Sequence, residues 1–237
     1  MEQPSLLRAP FVWPALPRRG TKLYDLLMGM PLIFFYTLVS WTRFDGLIED
    51  LSRLGLHDLS YAVVLGILSN ASVLLVALVF VVSVTFRPPP IARIPGMMPR
   101  IAAFSGTYLT VALFVVVPQA ASKELMAIST VVIFLGTLFA GYAIFHLGRS
   151  ISLVAEARKL VTSGPYRLVR HPLYLGEEIA IAGSVLQHIS TLSLLVFTVQ
   201  LGFQFYRMSR EEEILAQAFP EYQSYAKRTW RILPGIY

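Results

Sequence analysis

Apolar positions dominate the chain in long unbroken runs, and the polar positions gather between those runs. Residues 24–41, 61–86, 101–118 and 125–147 are each apolar over about the 20 residues that a helix needs to cross a bilayer core. A fifth region, 173–206, would be about 51 Å long as one helix, too long for a single crossing. Its polar break Gln187-His188-Ile189-Ser190-Thr191 predicts a helical hairpin with one short arm. The pattern thus predicts an all-α polytopic bundle of about six transmembrane helices. Beyond them, Leu215, Phe219 and Tyr222 recur at helical spacing and predict an amphipathic C-terminal helix headed by Glu211 and Glu212.

Charge placement fits an even number of crossings. With six, one membrane face carries Arg8, Arg18, Arg19 and Lys22, then Arg87, Arg93 and Arg100, then the basic residues of 149–170 and 207–231. Only Arg43, Arg53 and Lys123 fall on the other face, beside Asp45, Glu49, Asp50, Asp58 and Glu124. The positive-inside rule makes the basic face cytoplasmic, with both termini there. The formal charge of +6 then reflects topology and anionic headgroups, not nucleic acid. Composition agrees: 55% of residues are apolar and 14% charged, against about 25% charged in soluble domains. The chain has no cysteine, which excludes disulfides, thiolate metal sites and a thiol nucleophile, and no metal site is expected. The proline- and arginine-rich start, residues 1–21, lacks the apolar core of a cleavable signal. Zero cysteine and the short chain suggest a bacterial inner membrane.

Two polar clusters could carry chemistry. In the first, Gly164-Pro165 marks a turn and His171-Pro172 opens the hairpin. A proline suits the first helical position, so His171 stands at a helix N-terminus, where N–H groups attract anions. Arg167 and Arg170 lie beside it. The second is Arg207 to Tyr225. A hairpin returns it to the same face, where its acids can meet the first cluster's bases around one ligand. Taken singly, such arginines are usually membrane anchors and such glutamates a solvated helix start. Asn70 and His146 read as helix–helix hydrogen bonders. Glu177 and Glu178 stand out, since acids at membrane depth are functional candidates.

Taken together, Gly164-Pro165-Tyr166, Arg170-His171-Pro172 and Tyr174, followed after the hairpin by Glu211-Glu212, Leu215, Phe219, Tyr222, Tyr225 and Pro234, resemble the isoprenylcysteine carboxyl methyltransferase and phospholipid methyltransferase superfamily. The resemblance covers about residues 148–234, and divides the chain into N-terminal transmembrane helices (1–120) and a methyltransferase core (121–237). It implies methyl transfer from S-adenosylmethionine to a lipophilic acceptor, with no nucleic-acid partner. It gives Tyr166, His171, Pro172, Tyr174, Glu211 and Glu212 to the cofactor, with Arg170 holding an anionic group. Glu178 is the candidate base for an amine acceptor. No Gly-x-Gly-x-x-Gly is present for a Rossmann cofactor site. The acidic run Gly176-Glu177-Glu178 departs from the eukaryotic carboxyl methyltransferases. Alternative readings are an NADPH-dependent sterol or steroid reductase and a non-enzymatic transporter or scaffold.

Overall fold

The computed structural model describes residues 21–55, 60–118 and 121–236, with side chains omitted at 55 and 111–116. The basic N-terminal stretch 1–20 lies outside the described residues, as does Asp58. The architecture is an all-α, membrane-type helical bundle. Its elements are α1 (Lys22–Gly55), α2 (Tyr61–Phe86), β1 (Ala92–Arg93), α3 (Met98–Val116), α4 (Lys123–Leu147), β2 (Glu156–Ala157), α5 (Pro172–Gln187), α6 (Thr191–Ala218) and α7 (Tyr222–Ala226). Among the described residues three helices are long and apolar enough to cross a membrane: Lys22–Leu54, Tyr61–Phe86 and Lys123–Ser150. The short α5 packs against α4, and α3 against α6.

Local chemistry sets the boundaries. Ser60 accepts a hydrogen bond from the Val63 N–H and caps α2, which stops at Arg87 before three prolines. Ser122 caps α4 through the Leu125 N–H, and Gly148 ends it at φ +54, a conformation suited to glycine. His171 stands at the N-cap of α5 with Pro172 following, as the sequence predicts. The polar break falls between Gln187 and Thr191, and Ser190 caps α6 through the Ser193 N–H at 3.1 Å.

Two helices run further than their apolar residues. α1 continues past Trp41 through Arg43, Asp45 and Glu49 to Gly55. α6 continues past Tyr206, so Glu211 and Glu212 sit inside the hairpin's second helix instead of opening a separate one. Leaving an apolar environment does not break a helix, and the arginine and glutamates among these residues are good helix formers. The break comes at Phe219-Pro220.

Close backbone packing fixes α5. A Cβ on Gly176 would lie 2.5 Å from the Ala140 nitrogen, and one on Gly136 2.5 Å from the Ala180 nitrogen. Small residues at these crossings let α4 and α5 approach as membrane helices do. The C-terminal segment then joins the start of α5: the Arg170 N–H donates to Trp230 O (2.8 Å) and the His171 N–H to Arg231 O (3.1 Å).

Candidate active site

Four polar residues on α6 share one face of an otherwise apolar helix: Gln200, Gln204, Arg207 and Glu211, spaced i, i+4, i+7, i+11. Opposite them α5 presents Tyr174, Glu177 and Glu178. The Tyr174 hydroxyl donates to Glu211 Oε1. The Arg207 guanidinium lies over the Tyr174 ring, 4.9 Å from its centre. Arg207 Nη1 donates to Gln204 Oε1 (2.6 Å) and Nη2 to Leu153 O (3.2 Å), while its buried Nε has no partner among the described residues.

Of these groups Tyr174, Glu177, Arg207 and Glu211 line a cleft of about 990 Å³ of empty space, open mouth included. Tyr166, Arg170, His171, Glu211, Tyr222 and Tyr225 form its polar part. Leu32, Tyr36, Phe80 and Leu147, from α1, α2 and α4, form an apolar part. The buried Tyr222 hydroxyl also lacks a partner among the described residues. Burial raises the pKa of Tyr166 and Tyr222, and Glu211 and Glu212 respectively add to it. Tyr225 is pushed up to about 12, by burial first. All three phenols stay protonated and can donate.

The glutamate pair divides. Glu211 faces the cleft; Glu212 turns away into a basic nest. Its Oε1 accepts from Arg170 Nε (2.9 Å), His171 Nε2 (3.0 Å) and Arg231 Nε (3.2 Å). Burial alone would raise the Glu212 pKa, but the His171 and Arg170 hydrogen bonds outweigh it and hold the carboxyl at about 2. An ionised carboxylate only accepts, so the facing His171 nitrogen carries the hydrogen. Arg170 also donates through Nη1 to Ala226 O (2.9 Å) and Thr229 O (2.6 Å), and so ties α7 to the start of α5.

The structure therefore brings Tyr166, Arg170, His171, Tyr174 and Glu211 together, with Pro172 buried directly behind His171. It does not bring Glu178 to the cleft. That side chain is 8% exposed and receives Gln200 Nε2 at 2.8 Å, on the side where Gln200 also reaches Gly106 O (3.1 Å). Adjacent helix positions point about 100° apart, so Glu177 lines the cleft in its place. Arg207, which the sequence reading places only at the start of the second polar cluster, lines the cleft as well, and its helical spacing from Gln200 and Gln204 is the signal that could have found it.

A further cluster borders the cleft. Asp25, 1% exposed, accepts from Arg87 Nε and Arg158 Nη2, both at 2.8 Å. Glu156 meets Arg158 (2.6 Å) and Arg93 (3.0 Å), so the cluster joins α1, the end of α2 and the β1–β2 ladder. No local signal announces it: Asp25 lies 62 residues from Arg87 and 133 from Arg158.

Residues 124–222 match the phospholipid methyltransferase family model. The chain is 36% identical over 114 residues to the cobalt-zinc-cadmium resistance protein CzcN of Cupriavidus metallidurans, covering 46% of this chain and 52% of that protein. It is 34% identical over 117 residues to a probable protein-S-isoprenylcysteine O-methyltransferase of Oryza sativa subsp. indica (46% and 61%). Over 112 residues it is 34% identical to protein-S-isoprenylcysteine O-methyltransferase B of Arabidopsis thaliana (44% and 56%). The chain spans about half to three fifths of the length of these relatives. Residues 124–222 are thus similar to the phospholipid and isoprenylcysteine methyltransferases of membranes.

Proposed function

We propose that the chain transfers a methyl group from S-adenosylmethionine to a lipophilic acceptor at the cytoplasmic face of a bacterial inner membrane. The observation that carries this reading is the cleft itself, which joins a polar, tyrosine-rich part at Glu211 to an apolar part lined by Leu32, Phe80 and Leu147. A charged cofactor and an apolar acceptor need such a pairing. The donor set fits the cofactor: Glu211 suits an ammonium or ribose hydroxyls, and the Tyr222 hydroxyl and Arg207 Nε, without a partner among the described residues, are polar atoms open to a ligand. When bound, S-adenosylmethionine supplies an electrophilic methyl on a sulfonium.

The protein's own task is then alignment and exclusion of water. Tyr174 fixes Glu211 through its hydroxyl. Tyr166 and His171 form the adjoining wall, and Pro172 sets the backbone that places His171. Arg170 acts as a positioning residue, holding Glu212 and the α7 segment in place beside the ligand. With an amine acceptor, Glu177 is a carboxylate within the cleft able to take the proton. The basic face, where Arg170, Arg207 and Arg231 gather, supports the cytoplasmic orientation.

Membranes containing the protein, incubated with S-adenosylmethionine carrying a labelled methyl group, test the proposal. Label is expected in the lipid extract, at least tenfold reduced in Glu211→Gln. Absence of transfer, with NADPH consumed by the same membranes, would overturn it in favour of a reductase.

A further inference from the structure

A second pocket opens beside the cleft, between the start of α1 and the ends of α2 and α4, with about 880 Å³ of empty space including its open mouth. Lys22, Arg87, His146, Arg149 and Lys159 line it, and no acidic side chain does so among the described residues. Helix C-termini carry partial negative charge and would repel an anion. Here Lys22 offsets that charge at α2, donating to Thr85 O (2.8 Å) and Arg87 O (2.5 Å). Arg87 is spent on Asp25. Arg149 and Lys159 are exposed and make no ion pair among the described residues. They are the cations available to a ligand.

We propose that this pocket holds the phosphate of an anionic phospholipid. Its depth selects a lipid over a free anion. The membrane-length segments Tyr61–Phe86 and Lys123–Ser150 both end at its rim, which sets it at the level of headgroups. Phe86, 61% exposed, stands beside it as an apolar surface for the start of an acyl chain. Arg149 can grip phosphate oxygens through paired N–H groups, and Lys159 adds a point charge. Leu147, Ser150, Lys159 and Val161 line both this pocket and the cleft, so a bound headgroup forms part of the cleft's outer wall. This assignment stands independently of methyl transfer.

The test is the thermal midpoint of the detergent-solubilised protein with added phosphatidylglycerol, phosphatidylcholine or inorganic phosphate. Phosphatidylglycerol is expected to raise the midpoint well above phosphatidylcholine at equal mole fraction, and inorganic phosphate to have little effect. Arg149→Gln should lose at least half of the shift, and Arg149→Glu nearly all. The exposed Arg228→Glu, which carries the same charge change elsewhere, should keep it. Equal shifts from the two lipids, an equal shift from inorganic phosphate, or a full shift in both Arg149 variants would overturn the proposal.

Discussion

The two ion clusters flanking the cleft use the same residue types for different ends. Around Asp25 the charges close on each other: Arg87 and Arg158 are 5% and 0% exposed at the side chain, and their hydrogen bonds end on Asp25, Glu156, the Ser152 hydroxyl and nearby carbonyls. Around Glu212 the closure is partial. Arg170, His171 and Arg231 converge on one carboxylate, while the neighbouring Glu211 is left to face the cleft with only Tyr174 donating to it among the hydrogen bonds described. The lesson is that charge burial alone does not mark a site. The acid proposed to meet the cofactor is the one whose partners leave room for a ligand.

Substitutions can separate the two roles. The largest effect is expected from Asp25→Ala, which strands two buried guanidinium groups; breaking such buried pairs costs about 3–5 kcal/mol. The thermal midpoint in detergent should fall steeply, if folded protein is recovered at all. Next comes Glu212→Gln. Its partners are partly exposed, so about 2 kcal/mol is expected, with ligand affinity lowered through loss of the nest. Glu211→Gln should behave in the opposite way, weakening S-adenosylhomocysteine binding at least tenfold, about 1.4 kcal/mol, with the midpoint nearly unchanged. The smallest effect is expected from Glu178→Gln, which keeps an acceptor for Gln200 outside the cleft and should leave affinity within about twofold, under 0.5 kcal/mol.

Acid titration sharpens the contrast. The Glu212 carboxyl is depressed to about 2 when folded, against about 4.3 unfolded. Its contribution to stability is therefore fully present above about pH 4.3 and lost as pH falls toward 2. Glu212→Gln should flatten that part of the stability profile, measured by denaturation between pH 6 and 3.

Much of this was legible in the sequence because it is local. The polar break at 187–191, the Gly164-Pro165 turn and the placing of His171 before Pro172 each follow from neighbouring residues, and the structure carries all three. Helix ends at membrane boundaries were less legible, because hydropathy reports the solvent and not the hydrogen-bond ladder; α1 and α6 both run on. Which of two adjacent glutamates faces a ligand depends on helix rotation, and so Glu212 and Glu178 turn away while Glu211 and Glu177 line the cleft. The Asp25 cluster was hidden for another reason. Its partners meet only when α1, α2 and the β ladder have packed.

The most direct test of the cleft as a methyl-donor site is calorimetric titration of purified protein with S-adenosylhomocysteine, with NADPH run alongside. Micromolar binding of S-adenosylhomocysteine alone is expected, weakened at least tenfold in Glu211→Gln and retained in Glu178→Gln. Binding of NADPH in its place, or full affinity in Glu211→Gln, would contradict that assignment.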